Sequence, residues 1–426
     1  MKSKKRVYHR RDVLKAMTSL GGLAAAAAVT GFPHIARADA KTIRVGMPTI
    51  LSGRVAVLGE TSANAAKLAF DRINAAGGIG GRTFELVTRD STGKPDAAAR
   101  NTRDLINSDG CEIIIDAEAS SGSFAVQEVI RELPVLCLHT CSETTSLSAD
   151  PKLRVETAFR SARQGIHDAI GGGQYAAKLA KEKDLTRWMT CSPDYAYGRD
   201  NSAQFLEYAT KFHPSIEVVE QIWPKLFEPD YTTFVTRIVQ VKPQAMYSAL
   251  WGGDLVTFIE QGNLYGLFAG NMAFFSGGLA DPPVLKAIKQ LPAGLNSVYR
   301  YDADYPKSEA NAAFNADYEK TFSGSPTNWS WQNYTAVQFI AEALKRTNGK
   351  TDGKALANEV RGMAVDSPFA PDGKIEMRAS DQTIIKYPVA WGQTVSSPAG
   401  MTNWVPADWS EIEALEAEWK KAQGYT

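Results

Sequence analysis

Short apolar runs alternate with segments of helical spacing along most of the chain. The run Ile43–Met47 predicts a strand. Apolar side chains three and four positions apart between Ala65 and Ile73 predict a helix with one buried face. A second strand is predicted at Phe84–Thr88. Strand, helix and strand in this order form the crossover unit of a parallel sheet. The stretch from residue 43 to residue 91 therefore predicts the first such unit.

The same alternation continues to residue 138 and begins again near residue 164. Ile113–Ile115 and Val135–Leu138 are apolar without alternation, as expected for parallel strands that helices cover on both faces. A second series of strands and helices runs to residue 276. We therefore predict an α/β fold with two doubly wound parallel-sheet lobes. Beyond residue 300 the pattern predicts three helices, a hairpin and a tail helix, at 308–322, 331–347, 354–361, 373–390 and 410–421.

Four glycines follow the first predicted helix, at positions 77, 78, 80 and 81. A phosphate-binding glycine loop precedes a helix, because the free N–H groups and the positive end of the helix dipole lie there. These glycines instead end the helix and lead into a strand, so we interpret them as a tight reversal. The loop Leu51–Gly59, at the carboxyl end of the first strand, is the better candidate for ligand contact.

The first 40 residues have the features of an export signal. A basic head contains Arg10–Lys15, which follows the twin-arginine pattern, and Met17–Phe32 is a modest apolar run. Small residues allow cleavage after Ala38 or Ala40, and no cysteine for a lipid anchor lies there. We therefore expect a cleaved signal at 1–40, export by the twin-arginine pathway and a periplasmic mature protein.

Charge and length narrow the class of protein further. Without residues 1–40 the chain has 39 basic and 45 acidic side chains, a net charge of about −6. This balance argues against nucleic acid or an anionic membrane as the partner. The mature chain of about 386 residues is long enough for two cores, because single cores stop growing at roughly 250–300 residues.

The four cysteines lie in the mature chain, at Cys111, Cys137, Cys141 and Cys191. Cys111 and Cys137 stand near the starts of consecutive predicted strands, so they could form a disulfide. The alternative, that they are small buried apolar residues, is equally compatible with the pattern. Cys137 and Cys141 do not have the spacing of a redox or zinc motif.

Candidate catalytic chemistry is sparse. The three histidines of the mature chain are not at metal-ligand spacing, and no nucleophile elbow or phosphate-binding loop is present. Ser120 could act as a nucleophile with His139 and Asp116, which are close in sequence. The simpler interpretation is that Ser120 and Ser121 cap the next helix and offer hydroxyl and N–H groups to an anion. We expect no catalytic residue, no metal and no cofactor.

Three strand-to-helix loops carry the polar and aromatic side chains of a binding site. They are the loops at 141–145, 194–198 and 251–254. In a two-lobed protein the carboxyl ends of the strands face one cleft, so all three loops could reach the same ligand. Hydroxyls, aromatic rings and one or two carboxylates suit a small polar or amphiphilic molecule.

The chain resembles the periplasmic substrate-binding proteins of branched-chain amino acid type ABC importers. The most specific match is Ile73–Arg82, which reads I-N-A-A-G-G-I-G-G-R. The other matching segments are Val45-Gly46, Leu51–Gly53, Asp90 with Pro95 and Ala98, Asp194–Gly198, Trp251–Gly253 and Trp331–Ala336. The resemblance implies the type I periplasmic binding protein fold, with two lobes and a three-crossing hinge. It places 41–159 and 302–362 in lobe I, 160–301 and 363–395 in lobe II, and leaves 396–426 as a C-terminal extension.

The same resemblance implies a set of ligand-binding residues. They are Leu58, Ser120, Ser121, Ser142, Thr144, Tyr197, Trp251, Asp254 and Gly277. Two positions depart from the amino-acid binders of the family. Leu58 stands where those proteins often have an aromatic residue, and Gly277 where they often place an acid for the ammonium group.

An ammonium ligand would then need Asp254 or Glu143 as its counter-charge, because a desolvated cation without a partner is costly. Otherwise the ligand would be a simple carboxylate, an aromatic acid or an amide. The resemblance implies a non-enzymatic, monomeric protein that delivers a small carboxylate, such as an amino acid, to a membrane permease and its ATPase. A periplasmic sensory domain and a serine hydrolase are the less favoured alternatives.

Overall fold

The computed structural model describes residues 41–425, and the predictions for residues 1–40 lie outside this range. The strands are β1 (Thr42–Thr49), β2 (Thr83–Asp90), β3 (Ile113–Asp116), β4 (Leu136–His139), β5 (Ala158–Arg160), β6 (Arg187–Cys191), β7 (Glu217–Ile222), β8 (Ala245–Ser248), β9 (Ala273–Ser276), β10 (Asn296–Val298), β11 (Ala364–Asp366), β12 (Lys374–Arg378), β13 (Thr383–Ile385), β14 (Ala390–Ser396) and β15 (Ala399–Pro406).

The helices are α1 (Val57–Ala75), α2 (Pro95–Asn107), α3 (Ser120–Glu132), α4 (Ser146–Ala149), α5 (Gly165–Lys183), α6 (Ala196–Phe212), α7 (Thr232–Val241), α8 (Gly252–Leu264), α9 (Pro282–Ala287), α10 (Glu309–Phe322), α11 (Asn328–Arg346), α12 (Gly353–Val360) and α13 (Trp409–Gln423). None of these described helices is long and apolar enough to cross a membrane.

Two separate sheets form the centres of two lobes, as the duplicated pattern predicts. The first sheet has eight strands in the order β11-β12-β13-β5-β4-β3-β1-β2, and the second has seven in the order β15-β14-β10-β9-β8-β6-β7. The strands from β1 to β5 pair in parallel, and so do those from β6 to β10. Ile113, Ile114 and Ile115 are fully buried because helices cover both faces of the sheet.

The chain crosses between the two lobes three times. The crossings are the segments between β5 and α5, between β10 and α10, and between β13 and β14. The third crossing corrects one expectation. Residues 363–385 were expected in lobe II, but β11, β12 and β13 pair within the first sheet, where β13 extends β5. The short apolar strands of this hairpin fit the edge of either sheet, so their pattern alone does not determine which sheet they join.

Arg163, in the first crossing, ties the three crossings together. Its Nη1 donates to the main-chain oxygen of Tyr299 in the second crossing at 2.5 Å. Its guanidinium lies over the ring of Tyr387 in the third crossing, 5.6 Å from the centroid. Asp168 balances the buried charge and accepts from Arg163 Nε at 2.9 Å. A buried ion pair of this kind fixes the geometry at the point where the lobes join.

The glycine run after α1 forms a reversal, as predicted. Gly78 has a φ of 77°, in the left-handed region that favours glycine. A Cβ at this position would lie 2.1 Å from the main-chain oxygen of Arg82. The run therefore joins α1 to β2 in a turn that only glycine fits.

All four cysteines are buried and free. Cys111 and Cys137 make no disulfide, which leaves the interpretation that they are small apolar residues of the core. Both belong to the cluster under α2 and α3, with Leu105 and Val126. Burial raises the pKa of the Cys111 thiol to about 12, so it stays protonated and unreactive at neutral pH.

The C-terminal extension contacts both lobes. Its strand β15 is the edge of the second sheet, and its helix α13 carries Glu416, whose side chain is 1% exposed. Glu416 pairs with Arg378 of the first sheet at 2.6 Å and with Nε2 of His167, on α5, at 3.0 Å. Burial opposes ionisation of Glu416, but His167 and Arg378 outweigh it and hold the pKa of this carboxyl well below its ordinary value.

Glu416→Gln is expected to lower stability at pH 7 by about 2 kcal/mol, because hydrogen bonds to a buried charged group are lost. The depressed pKa stabilises the fold at pH values above the ordinary glutamate pKa of 4.5. The difference from the wild-type protein should therefore shrink as the pH falls below that value. Thermal melts at pH 7, 5 and 4 measure it.

Glu418→Gln is the matched control, because Glu418 lies on the same helix and pairs with Lys211 in an exposed salt bridge. Such pairs contribute at most about 1 kcal/mol. If the two substitutions lower stability equally, the contacts of Glu416 with Arg378 and His167 do not stabilise the fold.

Candidate ligand-binding site

A small cavity lies between the lobes at the carboxyl ends of the parallel strands. It is narrow and partly open to solvent. The lining residues are Leu58, Ala119, Ser120, Cys141, Glu143, Tyr195, Tyr197, Trp251, Arg300 and Trp329. They come from both lobes and from the second crossing, so the cavity exists only when the lobes are close together.

The N-termini of five helices converge on this cavity. Leu58, Ser120 and Tyr197 stand in the first turns of α1, α3 and α6, Trp251 is the N-cap of α8, and Trp329 lies in the first turn of α11. The first N–H groups of a helix have no partner within it, and the helix dipole is positive at this end. The arrangement therefore favours an anion in the cavity.

The serines of α3 are placed differently from the prediction. We expected Ser120 and Ser121 to cap this helix, but the N-cap residue is Ala119 and no side chain makes a capping hydrogen bond. Ser120 is the first helical residue, 2% exposed, and lines the cavity. Because it is not used as a cap, its hydroxyl can serve a ligand.

Four aromatic side chains form the walls of the cavity. Trp251 and Trp329 meet edge to face, with ring centroids 5.7 Å apart. Trp251 Nε1 donates to the Tyr195 hydroxyl at 2.9 Å, and the Tyr195 and Tyr197 rings lie 6.0 Å apart. Burial raises the pKa of Tyr197 well above its ordinary value, so its hydroxyl stays protonated and can donate a hydrogen bond.

Glu143 and Arg300 form a buried bidentate ion pair at the cavity. Arg300 Nη1 and Nη2 donate to the two carboxylate oxygens of Glu143 at 3.0 and 2.7 Å. Asn328 Nδ2 donates to the same carboxylate at 3.0 Å. Three protein donors thus hold the carboxylate of Glu143, and the guanidinium of Arg300 neutralises its charge.

Asp281 completes the cluster behind Arg300. Its Oδ2 lies 3.7 Å from Arg300 Nε, and its Oδ1 accepts from the main-chain N–H of Asn328 at 2.8 Å. Burial raises the pKa of Asp281 to about 6, although Arg300 opposes the shift. Burial also works against the charge of Arg300, but Glu143 and Asp281 raise the pKa of its guanidinium well above the ordinary value.

Asp254 does not face the cavity. Its Oδ1 accepts from Arg54 Nε at 3.1 Å, and its Oδ2 accepts from the main-chain N–H of Phe227 at 2.9 Å. We expected Asp254 to be available to a ligand ammonium, but Arg54 occupies that role. Arg54 is 200 positions away in the sequence and belongs to the other lobe.

The other expected site residues fall into two groups. Leu58, Ser120, Tyr197 and Trp251 line the cavity, whereas Ser121, Ser142, Thr144, Asp254 and Gly277 do not. The hydroxyls of Ser142 and Thr144 are nevertheless buried without a hydrogen-bond partner in the part of the chain that the structure describes, on either side of Glu143. A Cβ at Gly277 would lie 3.0 Å from the Tyr197 hydroxyl, so this glycine leaves room for that side chain.

The sequence patterns did not point to three lining residues, Ala119, Arg300 and Trp329, and they included Tyr195 only as part of the loop at 194–198. Arg300 is a charged residue in Tyr-Arg-Tyr, directly after a buried strand, and that contrast was the available signal. Trp329 stands two residues before the matched segment at 331–336, and Tyr195 is inside the matched loop. Whether these side chains point into the cavity depends on how the two lobes pack together, and local sequence patterns do not contain this information.

The geometry does not assemble a serine nucleophile. His139 Nδ1 and Asp116 Oδ2 are hydrogen-bonded at 2.6 Å, but none of the hydrogen bonds among residues 41–425 joins Ser120 to His139. A nucleophilic serine needs an oriented base within reach. Within the same range, no group of three or more histidine, cysteine or acidic side chains has the geometry to hold a metal ion.

Two lobes, three crossings and a cavity between the strand ends define a class of protein that encloses a small solute by hinge closure. The model of the periplasmic binding protein family matches residues 42–393, so the chain belongs to that family. Binding proteins of ABC transporters bind small ligands and work with a membrane permease.

The chain is similar to several known proteins along nearly its whole length. It is 23% identical over 399 residues to Leu/Ile/Val-binding protein homolog 4 of Brucella abortus, covering 88% of this chain and 89% of that protein. A solute-binding protein of Rhodopseudomonas palustris BisB5, solved with 3,4-dihydroxybenzoic acid, has a TM-score of 0.78 at 24% identity, over 87% of this chain and 98% of that one.

Another R. palustris solute-binding protein, solved with 4-hydroxybenzoate, has a TM-score of 0.76 at 22% identity, over 87% of this chain and 99% of that one. The leucine-, isoleucine-, valine-, threonine- and alanine-binding protein of Brucella ovis, in its closed conformation, has a TM-score of 0.71 at 21% identity. That match covers 87% of this chain and 95% of the Brucella protein. At these identities the structures share the fold with this chain.

Arg300→Gln is expected to destabilise the protein by roughly 3–5 kcal/mol, because it leaves the buried carboxylates of Glu143 and Asp281 without their cation. Urea unfolding at pH 7 measures the change. Arg103→Gln is the control, since Arg103 pairs with Glu132 on the surface, and should change stability by less than about 1 kcal/mol. A value for Arg300→Gln as small as the control would contradict the role of the cluster.

Proposed function

We propose that the cavity binds a small aromatic carboxylate, which the protein delivers to the permease and ATPase of its importer. The observation that supports this best is that Glu143 and Asp254, the two acids expected to meet a ligand ammonium, are already paired. Glu143 is held by Arg300 and Asn328, and Asp254 is held by Arg54. An α-ammonium group would enter the cavity without a counter-charge.

The charge pattern supports an anion without an ammonium group. Five helix N-termini offer partial positive charge, and a desolvated cation without a partner would cost several kcal/mol, of the order of 3–5. The carboxylate would lie near the N-terminus of α3, where Ser120 provides a hydroxyl and the first N–H groups of the helix point toward the ligand. Ser142 and Thr144, which precede and follow the lining residue Glu143 in the chain, have buried hydroxyls without a hydrogen-bond partner in the described range.

The walls support an aromatic body for this ligand. Tyr195, Tyr197, Trp251 and Trp329 present ring faces and edges, which favour another ring in edge-to-face or offset-stacked contact. Leu58 leaves space where an aromatic residue would fill the cavity. Two proteins of similar fold were solved with 3,4-dihydroxybenzoic acid and 4-hydroxybenzoate, ligands of this chemical class.

A branched-chain amino acid is the second candidate. It is favoured by the relatives named Leu/Ile/Val-binding proteins, which match over most of the chain. The absence of an unpaired acid among the lining residues weighs against it. A neutral amide would also avoid the unpaired ammonium, but it would gain less from the helix N-termini.

The rest of the proposal follows from the family and the leader sequence. The protein works as a non-enzymatic, monomeric binding protein in the periplasm. The segment Arg10–Lys15 supports export by the twin-arginine pathway. A gene for a permease and an ATPase next to this gene would support transport, and a histidine kinase gene there would favour sensing.

Thermal-shift screening is expected to show stabilisation by benzoate and its hydroxylated forms and none by leucine, valine or benzamide. A ligand at 100 times its dissociation constant stabilises the folded state by about 2.7 kcal/mol. Benzoate has a carboxylate and a ring, benzamide has the ring with a neutral amide, and leucine has a carboxylate with an ammonium group. The pattern of shifts therefore distinguishes the three candidate ligand classes. Stabilisation by leucine but not by benzoate would contradict an aromatic acid.

Ser120→Ala is expected to weaken binding of an aromatic acid by roughly 1–3 kcal/mol, because a hydrogen bond to a charged group is lost. Isothermal calorimetry with 4-hydroxybenzoate measures the change. Ser108→Ala is the control, since Ser108 is exposed at the far end of α2. If the two variants bind equally well, Ser120 does not contact the carboxylate.

A further inference from the structure

Outside the cavity, the lobes are joined by a second set of contacts at the rim of the cleft. We propose that Arg54, Asp254 and Phe227, with their partners Thr257 and Gly93, form a rim latch that favours the closed form and sets ligand affinity without touching the ligand. The proposal rests on the family's hinge closure and goes beyond the ligand class proposed above.

The polar half of the rim latch centres on Arg54, in the loop between β1 and α1. Its Nε donates to Asp254 Oδ1 at 3.1 Å, and its Nη2 donates to Thr257 Oγ1 at 2.7 Å and to the main-chain oxygen of Gly253 at 3.3 Å. All three acceptors belong to the first turns of α8, in the other lobe. One guanidinium thus makes three contacts across the cleft.

The apolar half of the rim latch is Phe227, in the loop after β7. A Cβ placed on Gly93, in the loop after β2 of the other lobe, would lie 3.0 Å from Phe227 Cζ and 3.6 Å from Ile50 Cδ1. The ring therefore packs closely against Gly93, where a Cβ would press on it. Gly93 also has a φ of 75°, in the left-handed region.

Asp254 couples the two halves of the rim latch. Its carboxylate accepts from Arg54 of the first lobe through one oxygen and from the N–H of Phe227 through the other. Its side chain is 3% exposed. Burial raises its pKa, although the hydrogen bonds of Arg54 and Phe227 oppose the shift. When the lobes separate, Asp254 loses its ion pair with Arg54, and Phe227 loses its contact with Gly93 at the same time.

The rim latch is separate from the ligand cavity. Arg54, Phe227, Asp254 and Thr257 are all absent from the cavity lining. Arg54 retains 34% of its side-chain exposure, so it lies at the mouth of the cleft. Interactions that exist only in the closed form shift the equilibrium toward it, and any ligand that requires closure then binds more tightly.

Arg54→Ala tests the rim latch in two ways. Small-angle X-ray scattering of the ligand-free protein should give a larger radius of gyration than for the wild-type protein, because the closed form loses stability. Stopped-flow measurements with 4-hydroxybenzoate should give a dissociation rate about five- to tenfold higher. The ratio of affinities for benzoate and 4-hydroxybenzoate should stay unchanged, since Arg54 does not contact the ligand.

Phe227→Ala is a second variant and should change scattering and dissociation in the same direction. Arg237→Ala is the matched control, because Arg237 pairs with Glu220 within the second lobe, and it should leave both unchanged. A radius of gyration of Arg54→Ala equal to that of the wild-type protein would overturn the rim latch. A changed ratio of affinities for benzoate and 4-hydroxybenzoate would also overturn it. The scattering measurement needs no ligand, so a failure of 4-hydroxybenzoate to bind would overturn only the proposed ligand class.

Discussion

The need to pair buried charges controls the interior of the cleft. A carboxylate taken out of water requires a cation or several hydrogen bonds, and the cleft provides these from the protein itself. Arg300 meets Glu143 with a bidentate contact, and Arg54 meets Asp254 from the opposite lobe. Because the protein's acids and bases neutralise one another, the ligand has to match what is left over, which is the positive ends of helices and a set of aromatic rings.

The same pairing links ligand binding to the relative position of the lobes. Glu143 belongs to the first lobe, whereas Arg300 lies in the second crossing, so their contact also orders the hinge. Arg163 joins the three crossings at their centre and is fully buried. Because Arg163 holds the three crossings side by side, we expect opening to change mainly the contacts at the cleft and its rim. Affinity then depends on residues that never meet the solute.

Local patterns predicted the parallel strands well, because β3 and β4 are short continuous apolar runs, as expected for strands that helices cover on both faces. They could not place the hairpin of β12 and β13, since short apolar strands fit the edge of either sheet. Asp254 shows what local patterns could not predict about the site. Its position at a strand-to-helix loop predicted a ligand contact, but its partner is Arg54, 200 residues away. Contacts between the lobes depend on how the two lobes pack against each other. The spacing of residues along one loop does not contain this information.

We expect the cleft to accept an aromatic carboxylate and to have no place for an ammonium group. Phenylacetate and phenylglycine differ only by that group, so calorimetric titration of both against the wild-type protein separates the two classes of ligand. Phenylacetate should bind, and phenylglycine should bind at least about 100-fold more weakly, because an unpaired buried cation costs roughly 3 kcal/mol or more. Equal or tighter binding of phenylglycine would show that the cleft accepts an ammonium group, and failure of both acids to bind would rule out an aromatic carboxylate as the ligand.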